Sequence, residues 1–289
     1  MTRSLRTLVI GIIVAGLAGV GWAAEETPLL SFGHPPHFTS YHYLYGLMAG
    51  KVGPQGVRLD FKAMWSGQIN NLLVAGKLDA GVMSISAYVI GRAKGFPYVA
   101  IGSAITERGS NSIWVPARSA VRTPKKVTWI TKELPILVAL MEKGELDAAI
   151  LWGDFYYKSL NDPRFRLLFQ IGPEIKQMLG VYPVVQLTVV QERLVRERPQ
   201  AVRAFLQALR ASRDYVKTAS LDEVIDFYIK RRGEGDRQVL VLDAKMGSSM
   251  DFTFTPEERR YFETYTGWAK EFGLVEKKLA LKDLVLELD

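Results

Sequence analysis

The chain has 289 residues, 48% of them hydrophobic, enough for one large domain or two lobes of ordinary size. It carries a formal charge of +7 and no cysteine, which excludes disulfides, thiolate metal sites, a cysteine nucleophile and a lipid-anchored N-terminal cysteine. No Lys/Arg run with interleaved aromatics occurs, so nucleic acid is not an expected partner; the mild positive balance suits an anionic small ligand or membrane surface.

Residues 1–23 read as an export signal. Arg3 and Arg6 form a positive start, "LVIGIIVAGLAGVGW" is an apolar core, and Gly21-Trp22-Ala23 gives a small-x-small cleavage site. Cleavage after Ala23 is expected, since a cut one residue later would put Trp22 at the restrictive −3 position. The apolar run is short for a spanning helix, which disfavours an uncleaved anchor. The expected mature protein is a free, exported one, most simply periplasmic.

From residue 28 the chain alternates strand and helix signals. "PLLSFGH" (28–34) reads as a first strand, and after Pro35-Pro36 a helix is expected with Thr39 or Ser40 as its cap and Tyr43, Leu44, Leu47 and Met48 at helical spacing. "VRLDFKAMW" (57–65) alternates as a second strand. Ser66 is then expected to cap a helix carrying Ile69, Leu72 and Leu73, which Gly76 stops. "LDAGVMSI" is a third strand. This rhythm is that of a parallel α/β sheet.

"LLVAGKLDAGVM" (72–83) returns in altered form as "LMEKGELDAAIL" (140–151). In each copy a helix ends at a glycine, Gly76 or Gly144, that can take the left-handed conformation. Leu78 and Leu146 then enter buried strands, with Asp79 and Asp147 at the strand mouths, where aspartate more often bonds backbone than catalyses. "SIS" (84–86) follows the first strand and "WGDF" (152–155) the second. Ligands bind beyond the carboxyl ends of strands in open α/β sheets, so two similar lobes facing a shared cleft are expected.

"VAGKLDAGVMSISAYVIGRAKGFPYVAIGSAI", "KGELDAAILW", "LVRERPQAVRAFLQALRASRDYV" and the closing "YTGWAKEFGLVEKKLALKDLV", in that order, resemble the nitrate/sulfonate/taurine type of periplasmic substrate-binding protein of ABC importers. The resemblance covers most of the chain after the signal. It implies an α/β, two-lobed periplasmic binding protein fold of type II-like form, with residues 24–109 and 187–289 in the first lobe and 110–186 in the second. It further implies a monomer that hands a small, anionic or polar organic ligand to an inner-membrane ABC permease, with no cofactor. One β-α step that the family carries after a phrase like "WVPARSAVRTPKK" (114–126) is missing here: "TPKK" runs straight into "VTWI" (127–130), expected as a strand. A parallel crossover needs a dozen residues or more, so the second lobe is expected to be reduced.

Position marks the candidate ligand contacts. His34, His37 and Tyr41 are expected in the loop after the first strand, near the expected cleft floor. Trp65 and Ser66 stand at a strand-to-helix junction, where a hydroxyl and free N–H groups can meet a ligand. Ser84 and Ser86 lie just beyond the first repeat strand, and Trp152 and Asp154 hold the matching place in the second. Three histidines (His34, His37, His42) sit close together without an acidic residue among them, so no metal is expected. The aromatic stripe Tyr261, Phe262, Tyr265, Trp268 reads as packing, and "RRGEGDR" (231–237) as a solvated loop.

No Ser-His-Asp order or phosphate loop occurs, and the repeat aspartates fall in different lobes, so an enzyme is not expected. Thiamine-pyrimidine synthases share the family's fold but resemble cytoplasmic proteins with a cysteine-rich segment, which this chain lacks. A periplasmic sensor that presents its closed form to a membrane receptor would share every feature above.

Overall fold

The computed structural model describes residues 27–53, 55–120, 127–128, 130, 132–246 and 249–286. The expected export signal (1–23) and "TPKK" (123–126) lie outside the described residues. None of the described helices is long and apolar enough to cross a membrane.

From the amino side, β1 (Leu29–His34), α1 (Phe38–Met48), β2 (Arg58–Ala63), α2 (Ser66–Val74), β3 (Ala80–Ser84) and α3 (Ile85–Ala93) alternate as expected. Next come β4 (Tyr98–Thr106), β5 (Ser112–Pro116), α4 (Leu134–Glu142), β6 (Ala149–Leu151), α5 (Asp154–Leu160), β7 (Phe165–Gln170) and α6 (Ile171–Leu179). After β8 (Val184–Gln191) the chain is helical: α7 (Glu192–Glu197), α8 (Pro199–Val216), α9 (Leu221–Arg232), α10 (Arg237–Met246) and α11 (Pro256–Glu271).

The strands form two sheets. The larger runs β2-β1-β3-β8-β4 and the smaller β6-β5-β7. β1 is parallel to both β2 and β3, whereas β8 runs antiparallel to β3 and β4. In the smaller sheet β5 is antiparallel to both neighbours. Two passages join the sheets: residues 107–111 lead out of β4, and the chain after α6 returns into β8.

Apolar side chains cover both faces of the larger sheet. Ile69, Leu73, Tyr88 and Phe262 from α2, α3 and α11 pack on one face, with Val189 and Leu187 of β8. Leu44, Val202, Phe205 and Leu209 from α1 and α8 pack on the other, against Leu30, Phe32 and Val82. Each such side chain, fully removed from water, contributes roughly 1.5–3 kcal/mol before its ordering cost. The smaller sheet has its own core of Trp114, Leu137, Met141, Leu151, Tyr157 and Phe165.

Both repeat glycines take the left-handed conformation, with φ of +67° at Gly76 and +73° at Gly144. Each closes its helix by donating to the carbonyl three residues back, Leu73 and Met141 respectively. The aromatic stripe on α11 is packing: Phe262 is fully buried, and Thr255 caps the helix with Glu258 bonding back to its N–H. Residues 231–237 are exposed.

Three local expectations need correction. α1 starts at Phe38 with His37 as its cap residue, so Thr39 and Ser40 lie inside the first turn and Tyr41 is helical rather than part of a loop. Trp65, not Ser66, is the cap residue of α2; Gln68 reaches back to accept the Trp65 N–H at 3.1 Å, which leaves Ser66 as the first helical residue. "VTWI" forms no strand at Val127, Thr128 or Ile130, and Val127 and Ile130 are exposed. The central β5 already has both edges filled, by β6 and β7, so the segment has no place beside it.

Candidate ligand-binding cleft

Strand register fixes where the two sheets face each other. In the larger sheet β3 ends with Ser84 opposite Gln186, near the start of β8, and β4 ends with Thr106 opposite Val184. β1 and β2 are parallel to β3, so all four carboxyl ends lie on the side of the passages between the sheets. In the smaller sheet Leu151 of β6 and Gln170 of β7 both pair with Ser112, the first residue of β5. Their carboxyl ends therefore face the same passages. Six strand ends from two sheets converge on one gap, the place where open α/β sheets hold ligands.

On the first side, His34 closes β1 and is buried. Its ring meets Tyr41 edge-on at 5.1 Å, and Tyr41 meets Tyr228 of α9 in the same manner at 5.2 Å. Burial, with help from the Arg231 and Arg232 charges, holds His34 down to about 4, against an opposing hydrogen bond between Nδ1 and the Pro35 carbonyl. Burial likewise holds His37 and His42 to about 4. All three are neutral imidazoles near pH 7.

Ser84 and Ser86 are brought together, their hydroxyls 3.3 Å apart. Ser84 caps α3 by accepting the Ala87 N–H at 3.3 Å, and Ser86 bonds the Tyr265 hydroxyl of α11. Trp65 projects into solvent with 58% of its surface exposed. The Met64 N–H donates to the His34 carbonyl, so Trp65 and Ser66 stand beside the end of β1.

On the second side, Trp152 is 42% exposed rather than part of a core. Asp154 opens α5 and is half-buried; desolvation raises its carboxyl, Lys158 opposes this, and Glu234 and Asp236 add to it. Asp154 and Tyr228 are close enough that the carboxylate, second to burial, helps push the phenol up to about 12. Asp154 is thereby linked to the His34–Tyr41–Tyr228 group across the gap, whereas among the described residues no hydrogen bond or ring contact joins Trp65, Ser66 or Trp152 to it.

Residues outside the sequence expectation complete the gap. Glu107, fully buried where β4 leaves the larger sheet, accepts from the N–H groups of Gly109 (2.6 Å), Ser110 and Asn111 (3.0 Å). The Ser110 hydroxyl and the Asn111 side-chain amide also donate to it, at 3.0 and 2.9 Å. Gln170 Nε2 donates to the Gly109 carbonyl and the Tyr156 hydroxyl at 2.9 and 2.8 Å. Asp243 of α10 is buried between the sheets' helices and accepts from Thr39 at 3.4 Å and from Tyr157 at 3.3 Å. A carboxylate followed by a Gly/Ser turn, "ERGSN" (107–111), could have flagged Glu107; nothing local marks Asp243. Hydroxyls and a helix start thus stand at the strand ends of the larger sheet and Asp154 at those of the smaller, with the carboxylates of Glu107 and Asp243 buried between them.

No family model and no curated protein matches the chain. Solved structures do. The periplasmic aliphatic sulphonate binding protein SsuA of Escherichia coli is similar at 14% identity and TM-score 0.71, over 90% of this chain and 94% of that one. The alkanesulfonate-binding protein SsuA of Xanthomonas axonopodis pv. citri, bound to MOPS, is similar at 15% identity and TM-score 0.71, over 92% and 100%. A Candida albicans protein described as having the generic periplasmic binding protein structural fold is similar at 13% identity and TM-score 0.63, over 91% and 98%. With two α/β sheets, two joining passages and strand ends meeting between them, the chain has the periplasmic binding protein fold, the fold of solute-binding proteins of ABC importers.

Proposed function

We propose that the chain is an extracytoplasmic solute-binding protein that closes two lobes on a small polar or anionic organic ligand and presents it to an ABC permease. In this reading residues 24–109 and 187–289 form one lobe and 110–186 a reduced second one, behind a signal cleaved near Ala23. The protein acts as a monomer in the periplasm, without a cofactor and without turning its ligand over. The observation that carries the reading is the convergence of strand ends from both sheets on a single gap. The two sulfonate-binding neighbours support a sulfonate-like or related ligand.

The charge distribution gives that ligand an orientation. Asp154 on the second side would repel an anionic head group. Ser84, Ser86 and the start of α3 on the first side offer hydroxyls and the positive end of a helix. Ligand contacts accordingly concentrate on the first lobe, at Ser84, Ser86 and Ser66, with Trp65 and Trp152 as exposed aromatic surfaces; Asp154 meets the polar, non-anionic end.

A thermal-shift screen of alkanesulfonates, taurine, nitrate, pyrimidines and aromatic carboxylates tests the reading. A binder of the closed form raises the melting temperature by mass action. Chemical conversion of any of these compounds, with stabilisation by none, overturns it.

A further inference from the structure

Helix α10, in the first lobe by sequence, packs against both lobes. Val239 and Leu242 pack into the core of the smaller sheet with Tyr157 and Leu151. Leu240, Val241 and Ala244 pack on the opposite side with Phe38, Tyr41 and Ile225. Between these two apolar faces lies Asp243, 7% exposed. One carboxylate oxygen accepts from Tyr157 of α5 and the other from Thr39 of α1, so a single side chain spans the helices that follow β6 and β1.

We propose that α10 is an interlobe latch whose bolt is Asp243: protonated, the carboxyl holds α1 to α5 and keeps the lobes together; ionised, it lets them part and release ligand.

The surroundings of Asp243 suit a neutral carboxyl. Its two hydrogen bonds are both long, and among the described residues no lysine or arginine pairs with it. An unpaired buried carboxylate is costly, and opening the lobes would return it to water. From α5 and the passage out of β4 it faces the like charges of Asp154 and Glu107, and from α1 the Tyr43 phenol. The cations nearby are directed elsewhere: Lys158 toward Asp154, Arg232 of α9 to the Tyr228 hydroxyl, and Arg237 of α10 to Asp222 and Asp226.

Burial, joined by Asp154 and Glu107 and opposed by the two hydroxyl donors, pushes Asp243 up to about 7. A carboxyl raised in the closed state stabilises that state fully below its ordinary value, and the contribution is lost as pH rises through 7. His34, His37 and His42, held near 4, stay largely neutral between pH 5.5 and 8.5 and do not confuse the reading there.

The test measures lobe separation in ligand-free protein. The chain has no cysteine, so Lys77→Cys and Lys143→Cys, both exposed, place one spin label on each lobe. The label-to-label distance should lengthen from pH 5.5 to 8.5 with a midpoint near 7. Asp243→Asn, a neutral isostere, should keep the short distance at every pH. Asp154→Asn should move the midpoint to lower pH by removing a like charge. An unchanging distance in the parent protein, or an undiminished pH response in Asp243→Asn, overturns the proposal. Should Asp243→Asn fail to fold, a midpoint unmoved by Asp154→Asn overturns it equally. Because no ligand is added, failure here leaves the binding reading standing, and a negative ligand screen leaves the latch standing.

Discussion

Asp79 grips Ser31 from two directions. One carboxylate oxygen accepts the Ser31 N–H at 3.0 Å and the Ser31 hydroxyl at 2.8 Å, and the Asp79 N–H donates back to that hydroxyl at 3.0 Å. The pair ties β1 to the entrance of β3, and Arg193 approaches the same carboxylate at 3.7 Å. The aspartate of the first repeat is therefore a clamp between strands. Its twin, Asp147, is exposed. Asp79→Ala should cost about 1–3 kcal/mol, since it strands the Ser31 donors, while Asp147→Ala should stay within about 0.5 kcal/mol. Urea unfolding of both variants checks this; equal losses would refute the distinction.

Glu107 does for the passage between the sheets what Asp79 does for the strand entrance. Its carboxylate gathers donors from Gly109, Ser110 and Asn111 and so shapes the turn by which the chain leaves the larger sheet. Hydrogen bonds to a charged acceptor are stronger than neutral ones. Glu107→Gln keeps the size but turns an amide toward donors, and we expect a loss of about 1.5–3 kcal/mol in a denaturant titration.

The first half of this fold is legible because its signals are local. Alternating apolar residues and a glycine able to take positive φ suffice to place β1 to β3 and the ends of α2 and α4. The caps of α1 and α2 are misread from sequence because neighbouring residues compete for the same task, as Gln68 does by satisfying the Trp65 N–H. "VTWI" has a strand's composition, yet its described residues Val127, Thr128 and Ile130 lie outside any strand, which no window of sequence reveals. Tyr41 looks like a ligand contact by position, yet its ring is spent on His34 and Tyr228. Asp243 is invisible for the opposite reason: its burial depends on α10 falling between two lobes assembled from distant segments.

The three histidines set the acid limit of the folded chain. Each is held to about 4 by burial, below its ordinary value of 6.5. The unfolded chain binds these protons more readily, so the stability they confer is present above pH 6.5 and lost as pH falls toward 4. Asp243, with its raised carboxyl, works in the other direction between the ordinary carboxylate range and 7. Three groups outweigh one, and the melting temperature should fall between pH 7 and 4. His42 stacks on Phe38 at 5.5 Å and nearly parallel, so His42→Phe preserves the ring contact and should make that fall shallower by calorimetry. A steeper fall in the variant would contradict the assignment.

Ser84 ends β3 and caps α3, and Asp154 opens α5 after β6, so both stand at strand-to-helix junctions, but their surroundings differ. Ser84 presents a hydroxyl at a helix start beside Ser86, whereas Asp154 presents a half-buried carboxylate near Glu234 and Asp236. For an anionic ligand, Ser84→Ala should weaken binding about tenfold to a hundredfold, the worth of one hydrogen bond to a charged group, with a stability cost of about 1 kcal/mol from the lost cap. Asp154→Ala should leave affinity unchanged or improve it, because it removes a like charge. Isothermal titration of both variants with the ligand found in the thermal screen decides the matter. Affinity abolished by Asp154→Ala alone would mean that the second lobe dominates recognition and that the ligand carries a cationic group there.

The two repeat glycines offer a matched pair for the last comparison. A Cβ built at Gly76 or at Gly144 meets nothing within 4 Å, so packing is indifferent to an added methyl at both positions. What remains is the backbone: φ of +67° and +73° is disfavoured for any residue with a Cβ. Gly76→Ala and Gly144→Ala should therefore each destabilise by about 1–2 kcal/mol, and by the same amount within error, although they precede strands of different sheets. Unequal losses in matched denaturant titrations would show that one of the two helix exits carries a further interaction, and that the repeat is similar in sequence but not in physical role.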